Sequence, residues 1–137
     1  IGFTIFNDAR NDVKLFSGVR NTLNMLKDNF ILIALTNGTA DLKKIGLAHL
    51  FHSLISAANI GAAKPDQRMF DAVVSATTIS PDKILHVGDH PKCDIAGAKD
   101  AGFYTAWVKG EVVDWPEDIE DPDLTISSIN ELRDVLL

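Results

Sequence analysis

Three short stretches carry residues whose types and spacing suit phosphate and cation chemistry: Leu35-Thr36-Asn37-Gly38, Lys64-Pro65 and Gly88-Asp89-His90-Pro91-Lys92-Cys93-Asp94. In the first, a hydroxyl, an amide and flexible backbone N–H groups follow an apolar run, a combination that suits an oxyanion or phosphate cradle. The same Asn-Gly is also an ordinary turn signal. Lys64 offers a point charge able to neutralise a phosphate, although most lysines are solvated surface groups. In the third stretch Asp89 and Asp94 bracket a turn between a strand and a helix. Hard oxygens of this kind suit Mg²⁺, which keeps several waters and takes one or two carboxylates plus substrate phosphate oxygens. Asp94 equally suits a helix N-terminus electrostatically.

The elements that must position these residues alternate along the chain. Val19, Leu23 and Leu26 recur at helical spacing within Ser17 to Asp28, and Phe30 to Gly38 is an apolar run stopped by Asn-Gly. Such a run reads as a strand buried on both faces. A short helix is expected from Asp41 to Leu47, a strand from Leu54 to Gly61, and a helix with Pro65 in its first turn and an apolar stripe of Met69, Phe70, Val73 and Val74. A strand follows at Ile84 to Gly88, then a helix from about Pro91 to Ala101 closed by Gly102. Tyr104 to Val108 and Leu124 to Ile126 complete the strands, separated by an acidic loop, Trp115 to Asp123. Ser128 with Glu131 forms a capping-box pattern for the last helix. This order predicts an α/β domain, Rossmann-like, with three α/β/α layers and a mostly parallel sheet. The candidate residues then stand at or just past carboxyl ends of strands, where open parallel sheets bind ligands.

Bulk properties narrow the function. With 137 residues and 46% hydrophobic content the chain can build a core. A net charge of −6 disfavours a nucleic-acid surface, which rests on Lys and Arg meeting phosphates. The single cysteine, Cys93, excludes an internal disulfide and a CxxC metal site, in keeping with a reducing compartment. No apolar run approaches the roughly 18 to 20 residues of a membrane span, and the opening residues lack a signal-peptide pattern. The expectation is a cytoplasmic protein without nucleic-acid or membrane partners.

The order Thr36, Lys64, Asp89 and Asp94 on successive strand ends resembles the haloacid dehalogenase (HAD) superfamily, mostly Mg²⁺-dependent phosphatases. LTNG is similar to its second motif, the lysine of AAKPD to its third, and HVGDHPKCDIAGAKDAG to its fourth. The resemblance implies phosphate binding by Thr36, Asn37 and Gly38, and charge neutralisation and positioning by Lys64. It further implies Mg²⁺ coordination by Asp89 and metal support from Asp94, with Lys64 and Asp89 as the catalytic pair among the residues present. Dehalogenases proper use no metal and typically have serine and asparagine where this chain has Gly88-Asp89-His90. That departure favours a phosphatase acting on a small phosphorylated metabolite. A phosphorelay receiver domain also uses carboxylates, Thr and Lys around Mg²⁺, but its acidic residues come before the Thr and Lys.

The family's first motif is an apolar strand ending Asp-x-Asp-x-Thr, in which the first Asp attacks phosphorus and the second is general acid and base. Aligned on Phe6, the opening IGFTIFNDARND offers Asn7 and Ala9 instead; shifted by one, it offers Asp8 and Arg10. A neutral amide is a poor nucleophile, and alanine has no proton to give. ARNDVKLFSGV resembles the return of the family's helical cap to its core. Residues 1–16 are therefore expected to be the tail of a cap and its linker, and residues 17–137 the C-terminal portion of a core lacking its central first strand. Such a gap exposes unpaired backbone groups on two strands. It is expected to be filled by Ile1 to Phe6, by a partner chain in a strand-swapped dimer, or by a missing N-terminal segment. The chain is expected to be catalytically silent alone; the alternative is a non-catalytic phosphate- or Mg²⁺-binding module, a degenerate relative whose opening strand has replaced the first motif. His86, inside an apolar strand, reads as a satisfied core histidine, His90 as a residue of the site rim, Cys93 as small packing, and Trp107 and Trp115 as packing and loop anchors.

Overall fold

A computed structural model of the chain describes residues 3–6, 19–37, 48–109 and 114–136. Its strands are β1 (Phe3–Phe6), β2 (Ile31–Thr36), β3 (Ser53–Ser56), β4 (Ile84–Gly88), β5 (Tyr104–Val108) and β6 (Leu124–Ile126). They form one six-stranded sheet in the order β3-β2-β1-β4-β5-β6, every neighbouring pair parallel. The chain moves outward from β1 to β3, then returns to the other side of β1 with β4 and moves outward again. The strand order reverses between β1 and β4, and in open parallel sheets ligands bind beyond the carboxyl ends at such a reversal.

β1 corrects two expectations. Residues 3–6 are a strand rather than the tail of a cap helix, and the sheet does not lack its central strand. Phe3–Phe6 pairs with Ile31–Ala34 on one side and Ile84–Val87 on the other. Of the three ways to fill the gap, this chain's own opening residues do it. The physical reason is backbone hydrogen bonding: β2 and β4 without a strand between them would each bury or expose a row of orphan donors and acceptors. The composition FTIF, aromatic and β-branched, suits a strand in that position. The rest of the expected cap tail and linker, residues 7–16, lies outside the described residues, as does the helix expected from Asp41 to Leu47.

The helices are α1 (Val19–Lys27), α2 (Ala57–Ile60), α3 (Gln67–Thr77), α4 (Gly97–Asp100) and α5 (Leu132–Leu136). Alternation along β2 divides the core into two layers, one on each face of the sheet. Leu32 and Ala34 join Leu23 and Leu26 of α1 and Leu132 of α5; Ile33 and Leu35 join Met69, Phe70 and Val73 of α3 with Ala98 and Phe103. Burying each such large apolar side chain contributes about 1.5–3 kcal/mol relative to exposure. The three-layer α/β/α expectation holds.

Local chemistry moves some boundaries. The strand expected from Leu54 to Gly61 ends at Ser56, whose hydroxyl accepts from the Asn59 amide at 3.3 Å and starts α2; Gly61, at φ 78°, closes that helix. The next helix starts at Gln67 rather than at Pro65, because Asp66 caps it by accepting from the Arg68 amide at 2.9 Å. Past β4, the expected single helix is a π-helical stretch, Pro91–Ala96, running into α4. Gly102, at φ 85°, ends it as expected. The capping box also holds: Ser128 Oγ accepts from the Asn130 amide at 3.2 Å, and Glu131 Oε2 from the Ser128 amide at 2.9 Å.

Candidate active site

Each candidate side chain is delivered by the end of an element. Thr36 is the last residue of β2 and is 1% exposed. Asn37 follows it, and its side chain grips the backbone of Lys64: Oδ1 accepts from the Lys64 amide at 2.7 Å, and Nδ2 donates to the Lys64 carbonyl at 3.1 Å. An amide matches both backbone groups of one residue as another strand would. The Asn37 side chain, expected to meet phosphate, is therefore committed to holding Lys64 at the strand ends. Gly38 lies outside the described residues.

Lys64 is buried and places Nζ 2.7 Å from Asp94 Oδ1. The same Oδ1 is 3.0 Å from His86 Nε2, while Oδ2 accepts from the His90 amide at 3.0 Å. Asp94 reaches this position from the π-helical turn because Gly88 leaves room: a Cβ on Gly88 would fall 2.3 Å from Asp94 Cγ. Asp94, expected to support the metal, has 0% exposure and both oxygens bonded to protein donors, and it anchors Lys64.

The electrostatics follow from burial and pairing. Burial pushes the Asp94 carboxyl up, but the hydrogen bonds and charges of His86 and Lys64 outweigh it and hold the group well below the usual carboxylate range. Burial pulls Lys64 below its ordinary value against the opposing pull of Asp94 and, more weakly, of Asp89. Burial also lowers His86 below its ordinary 6.5. At neutral pH the ring is then neutral and must carry its proton on Nε2 to donate to the ionised Asp94. His86 Nδ1 has no partner among the described residues, so this histidine is half-satisfied rather than satisfied. Burial raises the Cys93 thiol, which disfavours thiolate chemistry.

Asp89, just past β4, is exposed. Its backbone carbonyl accepts from Trp107 Nε1 at 3.0 Å, a contact beyond the packing role read from sequence. His90, expected at the rim, accepts at Nδ1 from the Cys93 amide at 3.1 Å and so caps the following helix. Asn37, Lys64, His86, His90 and Asp94 are thus one hydrogen-bonded cluster, with the exposed Asp89 preceding His90 in the chain and Thr36 preceding Asn37 at the end of β2.

No group of three or more His, Cys, Asp or Glu among the described residues could hold a metal ion. Mg²⁺ does not need one, because it keeps waters and takes substrate oxygens. An exposed hard carboxylate just past a strand end fits that habit, and Asp89 supplies it.

The haloacid dehalogenase-like hydrolase family matches residues 5–102. The chain belongs to that family. A phosphoserine phosphatase of Thermus thermophilus is 36% identical over 107 residues, 74% of this chain and 42% of that protein. A crystal structure of a 2-haloacid dehalogenase from Pseudomonas syringae pv. Tomato superposes with TM-score 0.86 at 36% identity, over 92% of this chain and 54% of that one. A HAD hydrolase from Bacillus subtilis, YfnB, bound to magnesium, superposes with TM-score 0.83 at 26% identity, over 90% of this chain and 56% of that one. The chain thus spans about half the length of the curated relatives it matches. The HAD assignment agrees with the order of motifs along the strands. No helix among the described residues is long and apolar enough to cross a membrane.

Proposed function

We propose that this HAD chain is the phosphate- and Mg²⁺-binding part of a cytoplasmic phosphomonoester hydrolase acting on a small phosphorylated metabolite. The reaction would run through an aspartyl-phosphate whose nucleophile is supplied from outside the described residues. The observation behind this reading is Lys64, gripped through its backbone by Asn37 and through its ammonium by Asp94. A buried ammonium fixed at both ends is a preorganised charge, stronger in a low-dielectric site than in water.

In this reading Lys64 faces developing phosphoryl charge with the N–H donors that Asp94 leaves unused, Thr36 adds a hydroxyl at the end of β2, and Asp89 would hold Mg²⁺. The cation would supply charge to the transferring phosphoryl oxygens. Asp94 keeps the ammonium charged and aimed. An acidic residue at position 89, rather than the pattern of metal-free dehalogenases, supports phosphatase over dehalogenase.

One observation favours a second reading, a non-catalytic phosphate- or Mg²⁺-binding module: the central strand β1 carries no carboxylate within Phe3–Phe6. Both readings predict no turnover by the chain alone. The test is hydrolysis of p-nitrophenyl phosphate with Mg²⁺ by the 137-residue chain and by its natural gene product extended upstream of Ile1. Silence of the first with turnover by the second is the expected result. Turnover by the chain alone overturns the inactive-fragment reading, and silence of a longer product supports the binding module.

A further inference from the structure

We propose that Trp107 is a positioning residue for Asp89, fixing the direction in which that carboxylate leaves the end of β4. The proposal rests on the reading of Asp89 as the Mg²⁺ ligand. The peptide unit joining Asp89 to His90 is held from both ends: its carbonyl accepts from Trp107 Nε1 at 3.0 Å, and its N–H donates to Asp94 Oδ2 at 3.0 Å. A peptide unit is planar, so fixing both polar ends fixes the plane and restricts the backbone rotation that aims the Asp89 side chain. One end is fixed by the cluster that holds Lys64, the other by a side chain from the neighbouring strand.

Trp107 is well placed for this. It pairs with Gly88 in the β4–β5 register and is 6% exposed. Its ring packs edge-on against Trp115 at a centroid distance of 4.7 Å. Trp115 in turn donates from Nε1 to the Ile119 carbonyl at 2.8 Å. The acidic connection after β5 therefore backs the indole that backs Asp89. A ring alone would fill the same space; the indole N–H adds the bond to Asp89.

The two tryptophans are the only ones in the chain, so an ¹⁵N-indole label gives two resonances, one for each ring. Titration with Mg²⁺ alone is expected to move the Trp107 indole resonance with the same dissociation constant as the His90 amide. Asp89→Asn is expected to abolish both shifts. Trp107→Phe keeps a ring and removes the donor, and is expected to weaken Mg²⁺ binding roughly two- to tenfold, the net worth of one buried hydrogen bond. A folded Trp107→Phe chain that binds Mg²⁺ as tightly as the parent overturns the proposal and leaves the role of Asp89 standing. Absence of Mg²⁺ binding, or undiminished binding by Asp89→Asn, overturns the role of Asp89 and the proposal with it. Should Trp107→Phe not fold, the parent chain decides: an indole resonance that stays still while the His90 amide moves overturns the proposal.

Discussion

Two ion pairs of similar length flank Pro65. Lys64 Nζ meets Asp94 Oδ1 at 2.7 Å with side chains 1% and 0% exposed; Arg68 Nη2 meets Asp66 Oδ2 at 3.0 Å with side chains 65% and 38% exposed. The first joins segments 30 residues apart in sequence, whereas the second joins residues two apart on one helix start. In water the second pair gains little, since solvent and salt screen it and two long side chains lose freedom. In the interior the first has no solvent to replace a lost partner, so each charge depends on the other. Near-equal distances therefore mean different things: one pair fixes a site, the other decorates a surface.

The strongest test of the contrast removes the buried acceptor. Asp94→Ala leaves the Lys64 ammonium, the His86 Nε2 proton and the His90 amide without their partner. Breaking a buried pair from one side costs about 3–5 kcal/mol, and urea denaturation is expected to show a loss of that size. Asp94→Asn, which keeps one acceptor oxygen, is expected to lose less. A loss below about 1 kcal/mol for Asp94→Ala would place the buried pair in the same class as the exposed one.

A smaller effect comes from pH. His86 is held below its ordinary 6.5 by burial, so as pH falls through 6.5 the unfolded chain takes up a proton that the folded chain refuses. Folding stability then declines with acidification, by at most about 1.4 kcal/mol per pH unit for one proton. Asp94, whose folded carboxyl is also lowered, acts in a separate window: its contribution is intact above its ordinary 3.8 and is lost as pH falls below that. Urea midpoints between neutral pH and pH 5 are expected to fall for the parent chain and to fall less for His86→Gln. An unchanged slope in His86→Gln would remove His86 from the buried cluster's energetics.

How much of this was legible in the sequence differs between fold and site. β2, β4, β5 and the Ser128–Glu131 cap follow from apolar runs and local chemistry, whose partners lie within a few residues. β1 did not, because ARNDVKLFSGV soon after FTIF resembles a cap return, and only the unmet hydrogen bonds of β2 and β4 make residues 3–6 a strand. The Ser56 cap hid inside an apolar run too short to have a period. In the site, Lys64, Asp89 and Asp94 stand out as candidates by type and spacing. The grip of Asn37 on Lys64 and of Trp107 on Asp89 is not, since both target backbone atoms, which any residue offers. His86 left a faint signal: a histidine two residues before a glycine on the same strand face, where only a missing Cβ admits Asp94.

The exposed pair gives the smallest expected effect and closes the comparison. Asp66 has two jobs at the start of α3: its Oδ1 caps the helix by accepting from the Arg68 amide at 2.9 Å, and its carboxylate meets the Arg68 guanidinium. Arg68→Ala removes only the second job, so the denaturation midpoint is expected to stay where it is at low and at high salt. Asp66→Ala removes both and is expected to lower the midpoint by the lost cap. The double variant is then expected to match Asp66→Ala alone, because the guanidinium has nothing left to contribute once its partner is gone. A midpoint that falls as far for Arg68→Ala as for Asp66→Ala would show that exposure does not separate the two pairs, and that the ionic contact itself holds the start of α3.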